Sequence, residues 1–281
     1  VLIYMEMALA FPKVNKTAIL CPGAMLGENV EIGHGTIIGK NVIIGNGTKI
    51  GAYAVIDGQT TIGKNCVIHS HVSIGSESSN PNFKDQQGSV RIGNNTQIRE
   101  YVTITRSIGS GQETQIGSNC LLSAYSHVSH NCIIGNSVIM SNAVNLAEYV
   151  TIEDRATIGG ITTIHSYVKI GRGVMVGGIS KVVENIPPFL MVSGNPVKAF
   201  GLNNIGMKRA GIIEKNRRIL KKAYKILYFS GLELSHAIEL LEQQPILCEE
   251  LECFMTFLHN NHGGICSVAH ESKTNLKQAN G

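Results

Sequence analysis

The chain contains no tryptophan, and aromatic residues make up 5% of its 281 positions. That excludes a core built on large rings, the usual source of buried area in a compact domain. Charge is also sparse. With 16% charged residues and a net charge of +4, composition gives no ground for nucleic-acid binding. The seven cysteines, Cys21, Cys66, Cys120, Cys132, Cys248, Cys253 and Cys266, include no CxxC pair. Neither a disulfide framework nor a zinc motif follows, and a reducing compartment is expected. No long apolar run is present. The opening VLIYMEMALAFP lacks a basic lead and is broken by Glu6, so neither a signal peptide nor a membrane span is expected, and the location expected is cytoplasmic.

What the chain has in quantity is glycine, 31 residues, together with a regularly spaced isoleucine. Residues 32–75 run IGHGTI IGKNVI IGNGTK IGAYAV IDGQTT IGKNCV IHSHVS IG. Stepping by six from Val14 to Val182 gives 29 positions, of which 26 are Ile, Leu, Val or Met. The exceptions are Asn80, Gln86 and Ser110. An amphipathic helix repeats every 3.6 residues, and a plain strand alternates every two, so neither produces this frame. A six-residue unit of short strand plus turn does. Three units make one triangular coil of 18 residues, and stacked coils pair about 4.8 Å apart. A solenoid of this kind buries a continuous core without aromatics. The expected fold is mainly β, a parallel β-helix over residues 12–188 followed by a small α-helical C-terminal domain.

The three exceptions mark two polar excursions, near 76–91 and 105–115, after which the frame resumes in phase. Long excursions from a rigid scaffold tend to carry function. Beyond Pro187 and Pro188 the repeat stops. A connector is expected over 189–205, helices over 206–260, and a disordered tail over 261–281. Between Lys208 and Lys225 eight basic residues stand against the single acid Glu214, a patch suited to an acidic partner or to a solvated helix face.

If residues 18 apart stack, spacing becomes distance. His127 and His130 flank the inward Val128. Glu148 lies one coil above His130, and Ser166, beside His165, two coils above. Asn145 and Thr163 stand over His127. An unperturbed histidine is largely neutral near pH 7 and accepts a proton, so this corner suits a general base acting on a hydroxyl. No GxSxG elbow occurs, which favours direct transfer over a covalent acyl-enzyme. A metal reading fails on spacing. One class of carbonic anhydrase uses three histidines on such a solenoid, and neither His34, His69 and His71 nor His127, His130 and His165 reproduces that pattern. No metal and no cofactor are expected.

The segments IREYVTI at 98–104, HVSHNC at 127–132, IGGITTIH at 158–165, GRGVMVGG at 171–178, IPPFLMVSGNPVKAFG at 186–201 and the helical tail with AYKILYFSG resemble the UDP-N-acetylglucosamine O-acyltransferase family over about residues 12–260. The resemblance implies a left-handed helix, against the usual hand of parallel crossovers. It also implies a cytoplasmic homotrimer with sites between subunits. The implied reaction moves a 3-hydroxyacyl group from acyl carrier protein to the sugar 3-hydroxyl, the first step of lipid A synthesis. His130 would be the base, with the Glu148 backbone N–H as oxyanion donor and its side chain as a substitute support. His127, His165, Ser166, Asn195 and Arg209 would bind substrate, and Gly178 would floor the acyl pocket. The basic run would dock the acidic carrier protein.

The chain departs from the family pattern at several of these positions. Asn131 replaces an Asp, Glu148 and Tyr149 replace Gly and His, Ser166 replaces Gln, and Ala210 replaces Arg. The Ser79–Asn82 stretch, with Asn80 and Asn82 as sugar contacts, replaces a Q-D-x-K type motif. Two other readings follow from these changes: a different acceptor such as a 3-amino sugar nucleotide, or a binding paralogue with impaired chemistry.

Overall fold

The computed structural model describes residues 11–78, 88–243, 245, 248–261 and 263–269. Its dominant feature is a left-handed parallel β-helix of triangular section. Among the described residues the three sheets hold eleven, nine and eight strands, and every strand pair within the coils is parallel.

Each six-residue unit buries two side chains rather than one. The large frame residue, such as Ile38, Ile44 or Ile56, points inward from its strand. Two positions earlier a small residue points inward from the corner: Thr36, Val42, Ala54, Cys66 and their successors. Several polar members of this second column bond to the next coil. Thr36 Oγ1 donates to the Gly51 carbonyl at 2.7 Å and Thr48 Oγ1 to that of Gly63 at 2.8 Å. The thiols of Cys66 and Cys120 make the equivalent contact to Gly93 and Gly135, each at 3.1 Å. Threonine and cysteine are therefore interchangeable here, which explains buried polar residues in an apolar core. Glycine commonly follows the frame residue because successive backbones nearly touch. A Cβ on Gly33 would lie 2.5 Å from the Gly51 carbonyl carbon. The turn residue two positions later is left-handed, and asparagine recurs there at Asn29, Asn65, Asn95, Asn119 and Asn131. Asparagine tolerates that conformation better than most side chains.

The excursions are shorter than expected and shift the stacking. Strands Ser73–Ser76 and Ser89–Ile92 leave 77–88 for the first, and Thr103–Thr105 and Glu113–Ile116 leave 106–112 for the second. Ile74 pairs with Ile104, 30 residues on, and Ile104 with Val128, 24 residues on. The 18-residue rule holds before and after the excursions and fails across them, because whole six-residue units are looped out. The frame's phase survives while the coil count does not.

The end of the solenoid also differs from expectation. The connector is a hairpin: Leu190–Gly194 continues one sheet in parallel with Met175–Val176 and pairs antiparallel with Val197–Leu202. Helices α1 (Asn204–Arg209), α2 (Glu214–Phe229), α3 (Leu234–Glu242) and α4 (Glu249–His259) follow. Helix α2 buries Leu220, Ala223, Tyr224 and Leu227 and exposes Lys215, Arg218, Lys221, Lys222 and Lys225. Helix α4 is held on the coils by an Arg172–Glu249 ion pair at 2.8 Å and by Lys169 over the Phe257 ring. The expected disordered tail is corrected over 264–269. Cys266 is fully buried, its N–H donates to Asn185 at 2.9 Å, and Ala199 N–H donates to Ser267 at 2.8 Å. The last coil leaves an open backbone edge there, and this segment pairs with it.

Candidate active site

One face of the solenoid and the corner at its end carry the polar groups singled out above. The face stacks Thr103, His127, Asn145, Thr163 and Lys181 in register. His127 Nδ1 lies 2.7 Å from Thr103 Oγ1, and burial pushes the His127 imidazole below its ordinary pKa.

The corner stacks His130, Glu148 and Ser166. Tyr149 N–H donates to the His130 carbonyl at 3.2 Å, and Tyr167 N–H to the Glu148 carbonyl at 3.1 Å. His130 is only 5% exposed. Its ring and that of Tyr149 form a T-shaped pair at a centroid distance of 5.4 Å and an angle of 88°, and Tyr149 stacks on Tyr167 at 4.9 Å. His130 Nδ1 lies 2.9 Å from Asn131 Oδ1. The Glu148 carboxyl is held below the usual carboxylate range, first by its own backbone N–H, then by the Ser166 hydroxyl and the nearby His130.

The remaining candidates are dispersed. His165 is exposed on the strand-to-corner junction beside Ser166. Gly178 sits at the far corner of the same face, over Gly160, where Ile161 and Ile179 are 64% and 76% exposed. The two glycines leave that corner bare between apolar side chains, as an alkyl chain requires. Arg209 ends α1 and Asn195 lies in the hairpin turn, both exposed. Asn80 and Asn82 lie outside the described residues. The histidines of the lower coils have other partners. His34 Nδ1 contacts Thr17 Oγ1 at 2.6 Å, His69 pairs with Glu100 at 3.2 Å, and His71 stacks between Tyr53 and Tyr101. Among the described residues no group of three His, Cys, Asp or Glu is placed to hold a metal. None of the helices there is long and apolar enough to cross a membrane.

Sequence reasoning missed Thr103, hidden by the second excursion, and the network around Asn131. The Ile108 N–H donates to Asn131 Oδ1 at 2.9 Å, Asn131 Nδ2 donates to the Ile108 carbonyl at 3.1 Å, and Asn131 N–H donates to Thr114 Oγ1 at 2.9 Å. Counting the polar run 107–112 as one looped-out unit is the signal that would have placed Thr103 under His127.

The arrangement suits proton transfer at His130. It does not suit a covalent cysteine: Cys132, the nearest thiol in sequence, is pushed up to about 12 by burial, and its sulfur faces the Ala147 carbonyl at 3.1 Å.

Comparison with known proteins bears on both halves of the chain. The profile described as bacterial transferase hexapeptide (six repeats) matches residues 41–76, and that described as Udp N-acetylglucosamine O-acyltransferase, Domain 2, matches residues 185–266. An acyl-[acyl-carrier-protein]--UDP-N-acetylglucosamine O-acyltransferase of Gloeothece citriformis is 44% identical over 59% of this chain, and the match spans 60% of that relative's length. The similarly named protein of Thiobacillus denitrificans is 39% identical over 90% of this chain and 98% of its own. A solved UDP-N-acetylglucosamine acyltransferase from Campylobacter jejuni superposes with a TM-score of 0.85 at 32% identity, covering 92% of this chain and all of that one.

Proposed function

The chain belongs to the UDP-N-acetylglucosamine O-acyltransferase family, and from that premise we propose that it transfers a 3-hydroxyacyl group from acyl carrier protein to the 3-hydroxyl of UDP-N-acetylglucosamine, at the first step of lipid A synthesis. The observation that carries the reading is the buried His130, its Nδ1 on Asn131 Oδ1, beside an open polar face.

With its proton on Nδ1, His130 presents the Nε2 lone pair to the sugar hydroxyl. The hydroxyl oxygen attacks the thioester carbonyl as Nε2 takes its proton. The tetrahedral oxyanion is received by the Glu148 N–H. Collapse breaks the C–S bond, and the proton on His130 passes to the departing thiolate. The Glu148 carboxylate supports the imidazolium formed between these steps. His127, His165, Ser166, Asn195 and Arg209 bind the nucleotide sugar, with Asn80 and Asn82 as further sugar contacts. Gly178 and its apolar neighbours take the acyl chain. The exposed lysines of α2 receive the acidic carrier protein. The working enzyme is a homotrimer with the site between copies.

The test is incubation of the purified protein with UDP-N-acetylglucosamine and 3-hydroxyacyl carrier proteins of several lengths, with products read by mass spectrometry. An alkali-labile acylated UDP-sugar, absent with His130→Ala, is the expected result. Product only with a 3-amino sugar nucleotide would move the reading to N-acylation, and no product with either acceptor would overturn it.

A further inference from the structure

His130 and the second excursion are joined through one side chain. Asn131 stands in the left-handed turn after His130, at φ +59°. Its amide faces the Ile108 peptide as one peptide faces another: Oδ1 accepts the Ile108 N–H at 2.9 Å, and Nδ2 donates to the Ile108 carbonyl at 3.1 Å. Ile108 is 7% exposed, so water competes little for these bonds. The Asn131 backbone is fixed in turn by its N–H on Thr114 Oγ1, at 2.9 Å.

The pairing settles which end of the amide is oxygen. With the ends exchanged, an NH₂ would face the Ile108 N–H and an oxygen would face the Ile108 carbonyl, two repulsive contacts in place of two bonds. Oδ1 has a second lone pair, and it points at His130 Nδ1, 2.9 Å away. A neutral imidazole carries one ring proton. Placed on Nε2, it would leave two lone pairs opposed between Nδ1 and Oδ1; placed on Nδ1, it makes a hydrogen bond.

We propose that the second excursion is a positioning element for the base: the Ile108 peptide fixes the Asn131 amide, and the amide holds His130 as the Nδ1–H tautomer with Nε2 as acceptor. Asn131 is a positioning residue and touches no substrate. Glu148 stands one coil above the same histidine, and its carboxylate bears on the charge of the ring; the Asn131 amide lies within hydrogen-bond distance of Nδ1. A neutral amide does the selecting here without a carboxylate. The loop earns its place by presenting a peptide to that amide. The kinetic part of this inference rests on the acyl-transfer reading above; the tautomer part does not.

The test uses the full chain labelled with nitrogen-15 at histidine. The expected spectrum of the unmodified protein at neutral pH shows His130 Nδ1 protonated and Nε2 unprotonated. Asn131→Gly keeps a residue at ease in the left-handed turn and removes the clamp. It is expected to move His130 toward the Nε2–H form, to speed amide exchange at Ile108, and to lower kcat roughly tenfold or more, within the range a positioned base supplies, while KM changes little. Asn131→Asp keeps an acceptor toward Nδ1 but sets a second oxygen against the Ile108 carbonyl. It is expected to keep the Nδ1–H form while Ile108 exchange quickens. An Nε2–H tautomer in the unmodified protein, or an unchanged tautomer in Asn131→Gly, would overturn the proposal. So would a KM effect with kcat intact. If no acceptor is acylated at all, the acyl-transfer reading falls, and the tautomer and exchange measurements still decide this one.

Discussion

Thr103 lies directly beneath His127, its hydroxyl 2.7 Å from Nδ1, although 24 residues separate them. The contact exists because the second excursion loops one repeat unit out of the stack, so that Thr103 drops into the position a residue 18 back would otherwise hold. Thr103→Val keeps the shape and removes the partner. A neutral hydrogen bond contributes about 0.5–1.5 kcal/mol, so KM for the sugar nucleotide should rise, by up to roughly tenfold, with kcat little changed. Steady-state kinetics check this, and a fall in kcat at constant KM would place Thr103 in the chemical step instead.

The Glu148 carboxylate faces His130 and is partly open to solvent. Glu148→Gln should lower kcat/KM by about two- to fivefold, the scale of a partly exposed ion pair. An unchanged rate would mean that the side chain has no part in supporting the base.

Burial holds the His127 imidazole below its ordinary pKa, so the unfolded chain takes up this proton more readily than the folded one. The contribution to stability is full above the usual histidine range, about pH 6.5, and is lost as the pH falls through the lower folded value. Thermal melts at neutral and mildly acid pH should show a larger loss for the unmodified protein than for His127→Gln. Equal losses would count against a buried neutral ring.

The corner columns accept threonine or cysteine alike. Cys66→Thr should therefore alter stability by no more than about 1 kcal/mol, whereas Cys66→Leu, which overfills the corner, should cost roughly 1–3 kcal/mol. Urea unfolding of the two variants compares them directly. A large loss for Cys66→Thr would mean that the thiol contact to Gly93 at 3.1 Å has no hydroxyl equivalent at this coil.

Much of the fold was legible before any coordinate. The period of six, from Val14 to Val182, excluded helix and plain strand and located both interruptions at Asn80, Gln86 and Ser110. The column His130, Glu148, Ser166 was legible too, because those coils follow the excursions and are unbroken. Asn131 could be noticed as a departure, but nothing in its neighbours along the chain indicates Ile108, which reaches it from 23 residues away. The segment 264–269, GICSVA, reads as tail only through the polar stretch that follows it. It is ordered by pairing with an edge that the solenoid's own termination creates.

The chain by itself determined the repeat, since each unit's strand, turn and inward residues are set by side chains within a few positions of one another. Only the tertiary structure decided which coil rests on which across the excursions, and which end of the Asn131 amide faces His130. Those outcomes depend on backbone pairing between segments distant in sequence, where a loop can absorb or omit a whole repeat unit without disturbing the local pattern on either side.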